Sequence, residues 1–405
     1  MCGKEDEDSF IFGSRFEIAR PGISDRVDEE LFTELLTNDY ALLWPLTLPE
    51  SNSKLTQQPM HFPLRVGLAF NLKRVSPSAG CVLDDEAEYD APSTIDSIRS
   101  AIASLGHVVV DLEADATFPH ALIASGVDVV FNVAEGARGR SRESHVPALL
   151  ELMGVPYTGS DPTCMVLTLD KHLAKRVVRE AGVNTAPASV ITTGDEPLPA
   201  DLRYPAIVKP VAEGSSKGVL PSSVVRNETE ARELARQMAR RYRQGALVEE
   251  FLPGREFTVG VLDGPTVLPP MEVVFTTNAE HPVYSFDHKL EPTAEVRYEV
   301  PAKISPELQR EIVSVAERAF VALGCRDVAR IDVRLDRDGK VSFIECNPLP
   351  GLTPGWSDLC LIAQAVGIDY RSLIARILEP AIRRLSEERK VPAPVTVEAP
   401  QVAAV

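Results

Sequence analysis

The sequence predicts an α/β protein in which a small parallel-sheet unit leads into a larger α+β region. Two observations carry that expectation. From Leu64 onward, short apolar runs alternate with segments of helical period in the order strand, helix, strand, helix, strand. Toward the C-terminus, two alternating runs flank Asp336, Arg337, Asp338 and Gly339, and Asp-Gly between such runs is a strong hairpin signal. A chain of 405 residues that is 44% hydrophobic can build two or three packed units.

Residues 1–61 hold twelve acidic residues against five basic ones, with Phe10, Phe12, Phe16 and Trp44 among them. They read as an appended arm to which no function is assigned. The first strand is expected at Arg65–Phe70, followed by a helix from Thr94 with Ile95, Ile98, Ile102 and Leu105 on one face. Ser93 can cap that helix with Asp96 at its third position, and Gly106 ends it. Strands at His107–Leu112 and Val127–Phe131, a helix holding Pro147–Leu152, and the segment Val155–Gly159 complete the first unit, 62–165.

A helix at Asp170–Ala181 and strands around Ala206–Lys209 and Ala246–Phe251 form the second unit, 166–255, with loops at Gly214, Gly218 and Gly245. The third unit, 256–388, carries a helix at Pro306–Leu323, whose stripe is Leu308, Ile312, Val315, Ala319 and Phe320, and then the hairpin. The tail 389–405, rich in Pro, Ala and Val, is expected to be disordered.

A net charge of −17 argues against non-specific binding to nucleic acid or anionic membrane, both of which need basic surface. Small molecules are the expected partners. The six cysteines form no C-x-x-C pair and no zinc-ligand spacing with histidine, and so read as reduced thiols. No apolar run approaches the roughly 20 residues of a membrane span, and the first ten residues lack a signal-peptide core. The expected location is the cytoplasm.

In the hairpin, Val328–Leu335 and Lys340–Cys346 are the strands. Alternation places Arg330, Asp332 and Arg334 on one face of the first, and Val341, Phe343, Glu345 and Asn347 on one face of the second. A two-residue turn sets Asp332 opposite Glu345; a four-residue turn makes them diagonal neighbours. Like charges across a ladder need compensation, which a divalent cation held with Asn347 can supply. A solvated face whose acids pair with Arg330 and Arg334 would supply it equally.

The run Pro205 to Gly218 is a strand ending at Lys209, followed by a small hydroxyl-rich loop. Its N–H groups and the lysine can cradle phosphate; a mobile surface loop is the alternative. Neither a Walker A motif nor a G-x-G-x-x-G after a strand is present. In Val248 to Glu256 an apolar strand breaks into a Pro-Gly turn flanked by acids, suited to an adenine edge and a ribose, although Glu249 and Glu256 could also be plain surface acids.

Taken in order, seven segments resemble the D-alanine–D-alanine ligase family of ATP-grasp enzymes over roughly residues 64–380: Gly154-Val-Pro-Tyr-Thr-Gly-Ser160, Leu169-Asp-Lys171, Val208-Lys-Pro210, Glu213-Gly-Ser-Ser-Lys-Gly218, Glu249–Glu256, Ala329-Arg-Ile-Asp-Val333 and Glu345-Cys-Asn-Pro-Leu-Pro-Gly-Leu-Thr353. The resemblance implies an ATP-grasp fold preceded by a Rossmann-like domain. It also implies a ligase that joins a carboxylate to an amine through an acyl phosphate. By that resemblance Lys171 and Lys209 contact ATP phosphates, Ser215 and Ser216 belong to the loop that closes over them, Glu249 faces the adenine amino group with Phe251 and Leu252 nearby, and Glu256 faces the ribose. Asp332, Glu345 and Asn347 would hold two Mg²⁺ ions, with Mn²⁺ as a substitute. Arg330 and the Gly351 amide would stabilise the oxyanion, and Lys289 would sit on a lid loop. A homodimer is what the family suggests.

Departures fall on the substrate side. The family's tyrosine after the lid lysine is Leu290 here, which can neither donate nor accept a hydrogen bond. The loop Ser78 to Glu88 lacks the family's pattern for the first amino group, leaving Glu86 or Glu88 to substitute. Asn132 to Glu143 adds Arg138, Arg140 and Arg142, which could hold a substrate carboxylate or phosphate, or pair with Glu135 and Glu143. Glu88, Arg140 and Ser357 are the candidate substrate residues. The competing expectations are an amide ligase of specialised metabolism with another amino-acid and carboxylate pair, and a non-catalytic nucleotide-binding protein.

Overall fold

Strand β1 (Arg65–Phe70) is buried along all but its first residue, which suits the middle strand of a parallel sheet covered on both faces. In the computed structural model, which describes residues 63–74, 86, 88–285, 288 and 294–389, it lies between β2 (Val108–Glu113) and β3 (Val129–Asn132). Both pairings are parallel. The arm at 1–61, the tail from 390, Lys289 and Leu290 lie outside the described residues.

The first helix starts earlier than expected, at Pro92, with extended Ala91 at its cap position and no side-chain cap. Proline presets the helical φ and its missing N–H is not needed in the first turn, so Ser93 falls inside the helix. Ile95, Ile98 and Ile102 are buried as expected, and Gly106 adopts φ +92° beyond the end. They pack against Leu373, Ile374 and Ile377 of the helix Tyr370–Glu388 and Ile362 of the helix Asp358–Ala365. The first sheet therefore shares its core with the C-terminal helices. Among the described residues no helix is long and apolar enough to cross a membrane.

Strands β4 (Ala188–Ile191), β5 (Ala206–Pro210), β6 (Val224–Val225) and β7 (Ala246–Glu250) form an antiparallel sheet in the order β4-β7-β5-β6. Ala231, Ala235 and Met238 of the helix Glu228–Tyr242 cover its apolar face. Asp170 caps the helix Lys171–Glu180 by accepting from the Leu173 N–H at 3.0 Å.

The third sheet comprises β8 (Glu256–Leu262), β9 (Thr266–Val267), β10 (Met271–Phe275), β11 (Val296–Glu299), β12 (Val328–Leu335) and β13 (Val341–Asn347), ordered β11-β10-β8-β12-β13 with β9 on β8. The helix Pro306–Ala322 buries Ile312, Val315, Ala316, Ala319 and Phe320 against Phe257, Val259, Ile331, Val333 and Phe343; Leu308, expected in its stripe, is only partly buried.

The hairpin turn has neither of the expected lengths. Asp336 to Lys340 separate the first pair, Leu335 and Val341, and the Asp336 carboxylate accepts from the N–H groups of Asp338 and Lys340, both at 2.9 Å. That register puts Val341 opposite Leu335 and Phe343 opposite Val333, all facing the core. A bulge between Asp332 and Val333 then leaves Ile344 without a partner, and beyond it Asp332 faces Glu345 and Arg330 faces Asn347. Val341 and Phe343 thus do not share a face with Glu345 and Asn347. The extra residue flips the alternation, giving β13 an apolar face near the turn and a polar one beyond it.

Candidate functional site

The polar stretch of the hairpin forms the floor of a cleft. Arg330 grips Asp332 with two hydrogen bonds of 2.9 and 3.1 Å and reaches Asp358 at 3.4 Å. The buried Asp332 carboxylate also accepts from Thr258 Oγ1 at 3.0 Å, and Asn347 Nδ2 lies 3.4 Å from it. Glu345 is met by Lys171 Nζ at 3.2 Å. Burial lowers the affinity of Arg330 for its proton, but Asp332 and Asp358 outweigh it and hold the guanidinium charged. Of the two compensations expected for the facing acids, cationic pairing is therefore present for Asp332. Arg334 takes no part in it and pairs with Glu256 at 3.0 Å. The donors offered by Asp332, Glu345 and Asn347 are all oxygen, which fits a hard divalent cation such as Mg²⁺.

Two cavities meet at this floor. The first lies between β5, β7 and the hairpin, walled by Ile207, Val219, Phe251, Leu252 and Val283, with Glu249, Glu256 and Lys209 among its polar groups. Neither acid is a surface residue: Glu249 is 5% exposed and Glu256 8%. Glu249 sits between two lysines, Lys175 at 2.7 Å and Lys209 at 2.6 Å. Burial alone would raise its pKa, yet Lys175 and Lys209 outweigh burial and hold it at about 2. Arg334 also stacks on Phe251, 4.8 Å from the ring centroid.

The loop after β5 crosses from this cavity to the second. Ser215 and Ser216 have φ of 49° and 55°, a region L-residues seldom occupy. The loop is tied down at both ends: Lys171 Nζ donates to the Glu213 carbonyl, Lys217 lies 3.1 Å from the Glu213 carboxylate, and the Gly214 N–H donates to Glu88.

The second cavity is lined by Ser215, Arg330, Asn347, Gly351, Ser357 and Asp358, together with the acids Glu88, Glu135, Glu143 and Glu213. Lys171, Glu213, Tyr284 and Glu345 line both cavities. Tyr284 hydrogen-bonds Tyr298 at 2.6 Å, and burial pushes its pKa up. Ser357 Oγ accepts from the Thr353 N–H at 2.9 Å, bracing the turn that carries Gly351.

Most of the sequence-derived residues therefore converge on one cleft. Arg140 does not: it pairs with Asp170 at 2.7 Å, is largely exposed, and lines a separate groove. Arg142 pairs with Glu88 at 2.8 Å and donates to the Ala212 carbonyl at 3.0 Å, so neither expectation for the arginines describes it. Sequence reading missed Lys175, one helical turn beyond Lys171; two lysines at i, i+4 repel without a shared anion, and that spacing was the available signal. It also missed Asp358 and Tyr284, which chain folding alone brings to Arg330.

A family model described as D-ala D-ala ligase C-terminus matches residues 177–379. A D-alanine–D-alanine ligase of Geotalea uraniireducens is 34% identical over 296 residues, spanning 72% of this chain and 90% of its own length. An uncharacterised protein of Sinorhizobium fredii is 36% identical over 299 residues, spanning 71% and 87%. Among solved structures, D-alanine–D-alanine ligase from Bacillus anthracis complexed with ATP is similar in fold, with a TM-score of 0.63 at 22% identity over 80% of this chain and 99% of that one.

Proposed function

The chain belongs to the D-alanine–D-alanine ligase family, and from that we propose that it joins D-alanine, or a close relative, to a second amino acid. The reaction class is that of an ATP-grasp ligase: ATP is consumed, with Mg²⁺ as cofactor, to form a carbon–nitrogen bond between small-molecule substrates. The observation that supports the ligase reading best is the shared wall of the two cavities, where Lys171 and Glu345 border the space lined by Glu249, Lys209 and Phe251 on one side and a polar, Arg330-bearing space on the other.

In this reading the adenine lies between Phe251, Leu252 and Ile207, with Glu256 at the ribose. Lys171 and Lys209 receive the phosphates, and the N–H groups of the Ser215–Ser216 loop cover them. Asp332, Glu345 and Asn347 hold Mg²⁺, which when bound neutralises charge on the transferred phosphoryl group. Lys171, now beside Glu345, and Arg330, now beside Asp332, would supply two cations to the reacting groups. Arg330, with the Gly351 N–H, then stabilises the oxyanion formed when the amine attacks the acyl phosphate. By the family resemblance Lys289 would assist them, and exclusion of water would protect that intermediate. Two Mg²⁺ ions replaceable by Mn²⁺, a homodimer, a cytoplasmic setting and the division into units 62–165, 166–255 and 256–388 belong to the same proposal.

A second reading, an amide ligase for another amino-acid and carboxylate pair, is favoured by Leu290 and by the pairing of Glu88 with Arg142. Phosphate release from Mg²⁺-ATP, screened against single and paired D- and L-amino acids, tests both. Release with D-alanine alone and the dipeptide in the mass spectrum supports the first. Silence there with turnover on another pair replaces it by the second. No amino-acid-dependent turnover at all removes both.

A further inference from the structure

Acidic side chains outnumber basic ones in the lining of the second cavity, where Glu88, Glu135, Glu143, Glu213, Glu345 and Asp358 stand against Lys171 and Arg330. Glu88 is already satisfied: both oxygens lie 2.8 Å from Arg142 Nη2, and it accepts the Gly214 N–H. A Cβ at Gly214 would stand 2.7 Å from that carboxylate, so the contact requires glycine. Glu143 has no such partner. It is 7% exposed, lines the cavity and makes no hydrogen bond or ion pair among the described residues. Glu135 lines the same cavity, likewise without one.

The groups that act on Glu143 are Glu88, Glu213 and Glu135 on the acidic side, and Arg142 and Lys171 on the basic side. Burial first, and Glu88 second, push its pKa up to about 8 against the pull of Arg142 and Lys171. Glu135 is raised in the same way, by burial and then by Glu143. A buried carboxylate turned toward a cavity with no cation of its own is a vacancy for one.

We propose that Glu143, with Glu135 beside it, forms the subsite that receives the ammonium group of the amino-acid substrate, and that Glu88 acts instead as a positioning residue that holds Arg142 and the Ser215 loop. This rests on the ligase reading above. It places amine recognition on the 135–143 segment, where the chain departs from its family's pattern. A primary ammonium donates three hydrogen bonds and can serve two carboxylates at once. A hydroxyl at the same position carries no charge to relieve them.

The test uses full-length protein with Mg²⁺ and a non-hydrolysable ATP analogue, titrated calorimetrically with D-alanine and with D-lactate, which differs in lacking the ammonium. Wild type should prefer D-alanine. Glu143→Gln should weaken D-alanine by about 10- to 100-fold and leave D-lactate unchanged. Glu88→Gln should keep the preference. Equal losses for both ligands in Glu143→Gln, no loss for either, or a lost preference in Glu88→Gln each overturn the subsite. Binding of neither ligand by wild type is a failure of the D-alanine reading. The subsite is then judged by methylammonium chloride, which should raise the melting temperature of wild type at pH about 8 and not that of Glu143→Gln; equal shifts overturn it. Melting of each variant without ligand checks folding, and Glu135→Gln, expected to reproduce the Glu143→Gln pattern more weakly, replaces a variant that does not fold.

Discussion

Asp332 and Glu345 face each other across β12 and β13, with Arg330 holding the first at 2.9 Å and Lys171 the second at 3.2 Å. Each carboxylate thus has a resident cation, and the hairpin is balanced without metal. A buried anion keeps its charge only while some cation remains.

Removing one acid should therefore harm activity more than stability. Asp332→Asn is expected to lower the turnover of Mg²⁺-dependent phosphate release by at least about 100-fold. Its melting temperature should fall by less than full loss of the pair would cost, because asparagine retains an acceptor for Arg330 and Asp358 remains as its anion at 3.4 Å. A loss of turnover below about tenfold would remove Asp332 from the metal-binding role.

The triad of Glu249, Lys175 and Lys209 makes a pH prediction. The Glu249 pKa is held at about 2, below its ordinary 4.5, so between those values the unfolded chain binds the extra proton. The contribution is therefore fully present above pH about 4.5 and is lost as pH falls toward about 2. Melting temperature should fall across that window, and less so in Glu249→Gln. Lys175→Met removes one of two partners and should cost on the order of 1–3 kcal/mol in urea unfolding. Parallel acid limbs in wild type and Glu249→Gln would contradict this account.

Glu256 joins Arg334, at 3.0 Å, to the wall of the apolar cavity. Glu256→Gln should raise the KM for ATP about fivefold and leave the amino-acid KM unchanged, because a charged hydrogen bond is worth roughly 1 kcal/mol more than the neutral one that glutamine keeps. Steady-state kinetics with each substrate varied separately decides it.

Gly351 has no room for a side chain, since a Cβ there would lie 2.9 Å from Ser357 Oγ. Gly351→Ala should shift the turn and reduce turnover on the order of tenfold to a hundredfold with little change in the KM for ATP. Turnover of Gly351→Ala within about twofold of wild type would mean that the turn absorbs the added Cβ.

Much of this was legible in the residues themselves. The burial of β1, the stripe of the helix Pro306–Ala322 and the Asp-Gly hairpin follow from local pattern, because period and turn chemistry act over a few neighbours. The order of short motifs pointed to the ligase family and to the residues around both cavities. Local pattern failed where a distant contact decided the outcome. The bulge at Ile344 reverses the alternation of β13, and nothing in Val341 to Asn347 announces it; packing of Phe343 beneath the Pro306–Ala322 helix and pairing of Glu345 with Asp332 together demand it.

The sequence by itself determined the fold class, the hairpin and the set of acids, lysines and arginines available for chemistry. Only the tertiary structure decided which charge each one meets: Lys175 with Glu249, Arg142 with Glu88, Arg334 with Glu256, and Glu143, at the cavity, with no ion-pair partner among the described residues. Spacing along the chain sets which side chains share a face. Charge partners 54, 74 or 78 residues apart are chosen by how the sheets and loops close, where burial makes every unpaired charge expensive.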